Sequence, residues 1–372
     1  MNRINFASQI IGERRYQSLI LFGIRERTFL RLIAFFLVIA IVFYPYPQIA
    51  MWIGFMFAGY SAIANDSIQT IGTFIASNQN RKWWELWLYI GIIFVVTVWY
   101  SWYNYNGDVS FQRLTSKGFE ESPTSFKFLQ LAAPIILLFI TRLRMPVSTT
   151  FMLLSAFSAD TKAIIKVGQK SMTGYFIAFA TAMVVWYLAS ALIKRLTKGE
   201  PHRLWIVAQW VISGILWSVW IQQDAANIAI FLNRSLSFYD FLFFTGFIFF
   251  GLGLLFYFRG DKIQEIITEK SSVTDVRSAS VIDLVYAFIL WYFQSVSTIP
   301  MSTTWVFLGL LAGRELSMTL SKNYDGTRSL SQTIKMIFKD LSFALLGLSI
   351  SILLAIAINP NIQRDIANML GW

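Results

Sequence analysis

The sequence predicts an all-α, polytopic membrane protein built from two repeats with discontinuous or re-entrant helices. Three observations lead there. Apolar residues make up 56% of the 372, charged residues 14% and aromatic residues 17%; a water-soluble chain of this size carries about a quarter charged residues. The apolar residues come in long blocks, not in a one-sided stripe, so the helices they form are apolar all round. Two polar motifs also recur inside apolar sequence, in the same order and at nearly the same offset.

Taken in order, residues 1–27 mix Arg14, Arg15, Arg25 and Arg27 with Ile10, Ile11, Leu19 and Leu21. They read as an amphipathic, interfacial segment on the cytoplasmic side. Over 28–196, the first repeat, apolar segments fall at 28–44, 48–63 running into 64–78, 84–103, 126–141, 146–159 and 171–193. Over 204–358, the second repeat, they fall at 204–221 running into 222–233, 238–258, 281–299, 300–320 and 334–358, with 359–372 left as a tail. A hydrocarbon core of about 30 Å takes roughly 20 helical residues, which gives about 10–12 membrane segments in all, several of them short. The short pieces are those that carry the polar motifs. Broken helices are tolerated at that depth only where they face protein or a water-filled cavity. The stretches 104–125 and 259–280 read as solvated loops at matching places in the two repeats. No cleavable signal peptide is read at the start.

The net charge of +11 lies in short loops: Arg81-Lys82, Arg142 and Arg144, Lys162 to Lys170, and Lys194 to Arg203. That distribution signals topology and contact with anionic lipid, and makes nucleic acid a poor partner. Cysteine is absent, which removes disulfides, thiolate metal sites and thiol catalysis. The single histidine, His202, reads as a solvated loop residue. No nucleophile–base pair is visible, so an enzyme is not expected.

The first motif is Ala64-Asn65-Asp66, repeated as Gln222-Gln223-Asp224. The second is Pro146-Val147-Ser148-Thr149-Thr150, repeated as Pro300-Met301-Ser302-Thr303-Thr304. Asp66 precedes Ser148 by 82 residues and Asp224 precedes Ser302 by 78. In a membrane chain, such duplicated polar clusters point to a transporter. Alignment on the carboxylates sets Asn65 opposite Gln223 and Gln69 opposite Asn227. An i, i+3 pair shares a helix face, so Asp66 and Gln69 are expected to face one cavity. Carboxylate and amide oxygens suit a hard cation such as Na⁺, and an ionisable residue in a membrane segment is by default a functional candidate. The alternative is a helix cap. For the second motif, proline is expected to open a helix whose free N–H groups, with Ser148, Thr149, Thr150, Ser302, Thr303 and Thr304, would bind an oxyanion. The alternative is hydroxyls bonded to a neighbouring turn or helix. Gly246, Gly251 and Gly253 are expected at close helix packing, and Arg314 with Glu315 as an interfacial pair.

These residues carry a family resemblance. Ala64-Asn65-Asp66-x-x-Gln69-x-x-Gly72-Thr73, the Gln223-Asp224-Ala225-Ala226-Asn227 copy and the two Pro-x-Ser-Thr-Thr copies resemble the signatures of the inorganic phosphate transporter (PiT) family. The resemblance implies an inverted-repeat fold, often dimeric, that couples Na⁺ or H⁺ to phosphate uptake, with a branch that carries sulfate. The departures are Phe151 and Trp305 where the family commonly has His, Ile63 and Ile230 for Gly, Gln69 and Gln223 for Asn.

The expectation is therefore a secondary active symporter of an inorganic oxyanion, phosphate first, in a cell membrane (the inner membrane in a bacterium). Na⁺ or H⁺ is the coupling ion and no other cofactor is expected. Asn65, Asp66, Gln69, Gln223, Asp224 and Asn227 would hold the cation, and the six hydroxyls the anion. The alternatives are a sulfate permease of the same fold and a non-transporting membrane sensor or assembly protein.

Overall fold

The structure, a computed structural model, describes residues 26–115, 119–143, 145–158, 160–196, 200–258, 275–321 and 329–370. The expected amphipathic segment (up to residue 25), Arg144 and most of the 259–280 loop lie outside them.

The first repeat comprises α1 (Arg27–Phe43), α2 (Pro47–Ala64), α3 (Asp66–Ser77), α4 (Trp83–Asn104) and α5 (Phe128–Arg142). A short π-helical turn (Thr150–Leu154) running into Ser155–Phe157 follows, and then α6 (Thr161–Leu196). The second repeat comprises α7 (Arg203–Ala229), α8 (Phe238–Tyr257), α9 (Val276–Val296), α10 (Thr303–Leu320) and α11 (Leu330–Ile358), and α12 (Pro360–Leu370) closes the chain. Among the described residues, six helices, α4 and α6 to α9 together with α11, are long and apolar enough to cross a membrane. Their outer faces present side chains such as Phe250, Leu254, Phe288 and Leu353, the surface that lipid covers. The protein is a multi-pass membrane protein.

Packing partners recur across the repeats. α5 lies on α2 as α9 lies on α7, and the short 150–157 segment lies on α11 as α10 lies on α6. Each hydroxyl motif therefore leans on the last long helix of the other repeat. The α6–α10 contact is the closest: a Cβ at Gly309 or Gly313 would stand 2.2 Å from the backbone oxygen of Tyr175 or Phe179. These two glycines, spaced by four, let the backbones touch. Of the glycines expected to serve this purpose, Gly251 meets Ile63 and Gly253 meets Trp87, whereas Gly246 has nothing within 4 Å.

Several boundaries differ from the sequence reading. The break in the first repeat is real: α2 ends and α3 begins around Asn65. The matching break at 221–222 is absent, because α7 runs unbroken from Arg203 to Ala229. Nothing at Gln222-Gln223 interrupts the backbone ladder, and neither Pro nor Gly stands there to do so. α6 begins ten residues before the expected 171, so Lys162 to Lys170 are helical. Residues 276–280, expected in a loop, form the first turns of α9, with the Asp275 carboxylate accepting the Arg277 N–H at 2.8 Å as an N-cap. The tail is largely helical as α12. His202 is exposed, as expected, and its Nδ1 caps α7 by accepting from Leu204 N at 3.3 Å.

The 104–125 stretch, read as a solvated loop, is exposed at positions such as Asn106, Gln112 and Glu120 but folds part of itself inward. It turns back through left-handed positions at Asn106, Phe111 and Gln112 (φ 52° to 57°) and at Gly107 (φ 91°). The Leu236 N–H donates to Gly107 O at 2.9 Å, and Trp102 Nε1 donates to Leu236 O at 2.9 Å. Arg234 then ties the same region down through Phe119 O (3.0 Å) and Glu121 O (2.8 Å). The result is that Arg113 points inward and is 2% exposed.

Candidate ion-binding site

α3 and α7 carry the two carboxylates, while the 148–157 segment and α10 carry the hydroxyls. All four meet in the interior. Asn65, Asp66, Gln223, Asp224, Asn227 and the six hydroxyl residues are each at most 3% exposed.

Around Asp66, Asn65 Nδ2 donates to Oδ1 at 2.8 Å and reaches Val147 O at 3.5 Å, just ahead of the first triplet. Gln69 is only partly buried and donates to Asn65 Oδ1 at 3.4 Å. Its bond is to the amide four residues back, which itself bonds to Asp66. The hydroxyls of Thr149 and Thr304, one from each repeat, lie beside the Asp66 carboxylate.

Around Asp224, Thr303 Oγ1 donates to Oδ2 at 2.6 Å and Asn227 Nδ2 donates to Oδ1 at 2.5 Å. The Asn227 amide also donates to Thr150 Oγ1 at 3.2 Å, and Thr150 in turn donates to Met301 O at 3.3 Å. Gln223 donates to Leu290 O at 3.3 Å. The second repeat's carboxylate site thus draws on the first repeat's hydroxyls, and the reverse holds at Asp66. The two carboxylates lie within each other's field. In a low-dielectric interior, two such groups either take up protons or need cations nearby.

The serines do something else. Ser302 Oγ accepts from Trp305 N at 3.2 Å and Ser148 Oγ accepts from Phe151 N at 3.1 Å. Both are caps, as the Ser/Thr/Asn/Asp preference at helix starts requires. Pro300 and Pro146 stand ahead of the helical turns and do not open them, because Thr303 and Thr150 begin the helical runs.

Four buried atoms here make no hydrogen bond with the protein: Asp66 Oδ2, Thr149 Oγ1, Gln223 Oε1 and Asn227 Oδ1. All are oxygens, three with lone pairs and no hydrogen to give. This donor set fits a hard cation such as Na⁺ and does not fit a soft metal. Other groups join the site that the sequence reading did not single out. The Tyr286 hydroxyl donates to Thr303 O at 3.0 Å and lies in the field of both carboxylates. Arg113 donates to Gln222 O at 3.3 Å and to Ser297 O at 2.7 Å. Burial pulls its guanidinium down to about 10, against the attraction of Asp224, so it remains cationic at neutral pH. Lys170 donates to Ser297 O at 3.0 Å and Ile299 O at 2.6 Å. Together they clamp the segment that leads into the second triplet. Lys162, Lys166 and Lys170 recur every four residues at the start of α6, and the innermost of them, ten residues into an otherwise apolar helix, is the signal that could have found this. Arg142, read from the sequence as a loop charge that signals topology, is paired with Glu26 at 2.7 Å. Arg314 and Glu315 do pair, at 2.5 Å, but both are 6% exposed and buried rather than interfacial.

Fold and site together define a class: a multi-pass, all-α membrane protein whose two repeats share one buried carboxylate–hydroxyl centre. The fold is that of a solved structure described as the sodium-dependent phosphate transporter, with a TM-score of 0.59 over 86% of this chain and 98% of that chain. Identity between the two is 15%. No family model and no curated protein matches the sequence.

Proposed function

We propose that this chain is a secondary transporter that moves an inorganic oxyanion, phosphate first and sulfate as the alternative cargo, together with Na⁺ or H⁺. The observation that carries the reading is the set of four unbonded oxygens at and beside two carboxylates that form no ion pair among the described residues, at a place where charge is costly. Asp66 with Asn65, and Asp224 with Gln223 and Asn227, would hold the cation. Gln69 supports the set by orienting Asn65. The N-terminus of α10 and the first turn of the 150–157 segment bring helix dipoles and free N–H groups to the same centre, which suits an oxyanion. Of the hydroxyls, Thr149, Thr150, Thr303 and Thr304 face this centre, while Ser148 and Ser302 shape it as caps. Bound cations would offset the repulsion between the anion and two carboxylates, and that offset is the physical basis of coupling. The fold of a solved sodium-dependent phosphate transporter supports the same reading.

One observation favours a second reading, a membrane sensor or assembly protein without transport. The two positions after the triplets are filled by Phe151 and Trp305, which pack on each other beside the centre. Uptake of labelled phosphate and of labelled sulfate into proteoliposomes, with and without an inward Na⁺ gradient, separates the readings. Gradient-driven accumulation of either anion is the expected result. If neither accumulates, the transporter reading falls.

A further inference from the structure

The polar face of α3 continues beyond the central site. Asp66, Thr70, Thr73 and Ser77 follow one another by four, three and four residues, which places them in one stripe along the helix. At about 1.5 Å per residue the stripe is roughly 16 Å long. It runs from the centre to the membrane face, where the exposed residues Gln79 to Arg81 precede α4. Polar groups of the second repeat face it at every step. The Tyr286 hydroxyl lies against Thr70. One turn further, Thr73 Oγ1 donates to Asp283 Oδ1 at 2.6 Å and Ser213 Oγ donates to Oδ2 at 2.6 Å. Beyond that, the Gln209 amide donates to Ser77 Oγ, Asn78 Nδ2 donates to Gln209 Oε1 at 2.9 Å, and Trp210 Nε1 donates to Asn78 Oδ1 at 3.1 Å.

Asp283 stands in the middle of this row. It is 1% exposed, on a membrane-spanning helix. Among the described residues, the buried or half-buried charged groups on the helices packed against α9 are Asp66 on α3, Asp224 on α7, the half-buried Lys170 on α6 and the Arg314–Glu315 pair on α10. Among the described residues, Asp283 hydrogen-bonds with Thr73 and Ser213 and with none of these charged groups, and Tyr286 is the titratable neighbour on its own face. A carboxylate in low dielectric with no cationic partner does not stay charged unless a cation joins it. A hard metal ion would sit about 2.0–2.6 Å from each ligand oxygen and would hold those oxygens apart. Here both hydroxyls touch the carboxylate directly. The cation that fits there is a proton: carried on one carboxyl oxygen, it reverses that oxygen's bond, so that the carboxyl O–H donates to the hydroxyl and the hydroxyl turns its own hydrogen away.

We propose that Asp283 is a proton-binding station on a polar route that links the Asp66–Asp224 centre to the membrane face at Asn78. The proton moves between the Asp283 carboxyl and the hydroxyl row of α3, and no other bond is made or broken. The transport arm of the test below rests on the transport reading; the spectroscopic arm does not.

The full-length protein in liposomes is examined by infrared spectroscopy as the pH is stepped, beside Asp283→Asn. The wild type is expected to show a protonated-carboxyl C=O band that Asp283→Asn lacks and Asp66→Asn keeps. Ser213→Ala, which removes one hydrogen bond and keeps the carboxyl, should move that band to higher frequency. Superimposable spectra of the wild type and Asp283→Asn overturn the proposal. In the second arm, liposomes loaded with a pH-sensitive dye receive an inward phosphate gradient with Na⁺ present. Lumenal acidification is expected to accompany phosphate uptake and to slow at least about tenfold in Asp283→Asn; equal rates overturn the route. Absence of phosphate uptake in the wild type sinks the transport reading alone, and the infrared comparison then decides the proton site by itself.

Discussion

Phe151 and Trp305, which directly follow the two Ser-Thr-Thr triplets, pack edge to face with ring centroids 5.7 Å apart and planes at 69°. Both are 1% exposed, and Tyr175 of α6 adds a third ring against Trp305. The contact places the two triplets side by side across the repeat boundary. It also replaces two polar positions of the resembled family with an apolar plug at one wall of the site.

Loss of that plug should be costly. Trp305→Ala is expected to remove about 3–5 kcal/mol of stability, the range for truncating a large buried aromatic. Thermal unfolding in detergent, followed by tryptophan fluorescence of the remaining residues, checks this. A loss under about 1 kcal/mol would mean that the ring is not packed as described.

The carboxylates should differ from their neighbours in Na⁺ dependence. Asp66→Asn and Asp224→Asn are each expected to raise the Na⁺ concentration for half-maximal uptake by about tenfold or more, equivalent to ~1.4 kcal/mol of cation binding. Unchanged Na⁺ activation in both variants would place the cation elsewhere.

Within each triplet the first hydroxyl and the last two should separate. Ser302→Ala removes the cap of α10 and is expected to cost about 1 kcal/mol of stability while leaving the preference between phosphate and sulfate unchanged. Thr304→Val keeps the shape and removes a hydroxyl beside Asp66. It is expected to weaken ligand binding with little change in unfolding temperature. Calorimetric titration alongside thermal unfolding of the two variants reads both quantities.

The glycines of α10 supply a packing test with an internal control. Gly309→Ala would place a Cβ 2.2 Å from the Tyr175 carbonyl oxygen, and overpacking of this kind costs about 1–3 kcal/mol. Gly246→Ala meets nothing within 4 Å and should be neutral or slightly stabilising, because alanine is the better helix former. Equal unfolding temperatures would contradict the close α6–α10 approach.

Arg113 should act on one segment. Its bonds to Gln222 O and Ser297 O hold the approach to the second triplet, so Arg113→Gln is expected to speed amide exchange over 297–302. Arg113→Lys should restore little, because an ammonium lacks the planar fork that spans two carbonyls. Exchange mass spectrometry on the three proteins gives the comparison.

The membrane class, the helix blocks and the duplication were legible in the sequence because hydropathy and spacing are local properties. Asp66, Asp224 and the six hydroxyls were legible as candidates because each sits in a motif that occurs twice. The break at Asn65 was legible, but its counterpart near Gln222 was not: polar side chains permit a break without forcing one, and α7 keeps its hydrogen bonds by burying those side chains against α9 and the hydroxyl segments. Asp283 stood in plain view inside an apolar run and carried its own signal, yet with no repeat partner it drew no notice.

What the sequence determined alone was composition, order and repetition: an all-α membrane chain, two carboxylates and two hydroxyl triplets. Tertiary structure decided which of these meet. It set Thr149 and Thr304 beside Asp66, gave Thr150 to Asn227, spent Ser148 and Ser302 on capping, and brought Arg113 from a loop to the approach of the second triplet. The physical reason is that buried polar groups must be satisfied. In a bundle of two interleaved repeats, the groups that satisfy them come from residues some 80 or more positions away, a distance that no local pattern records.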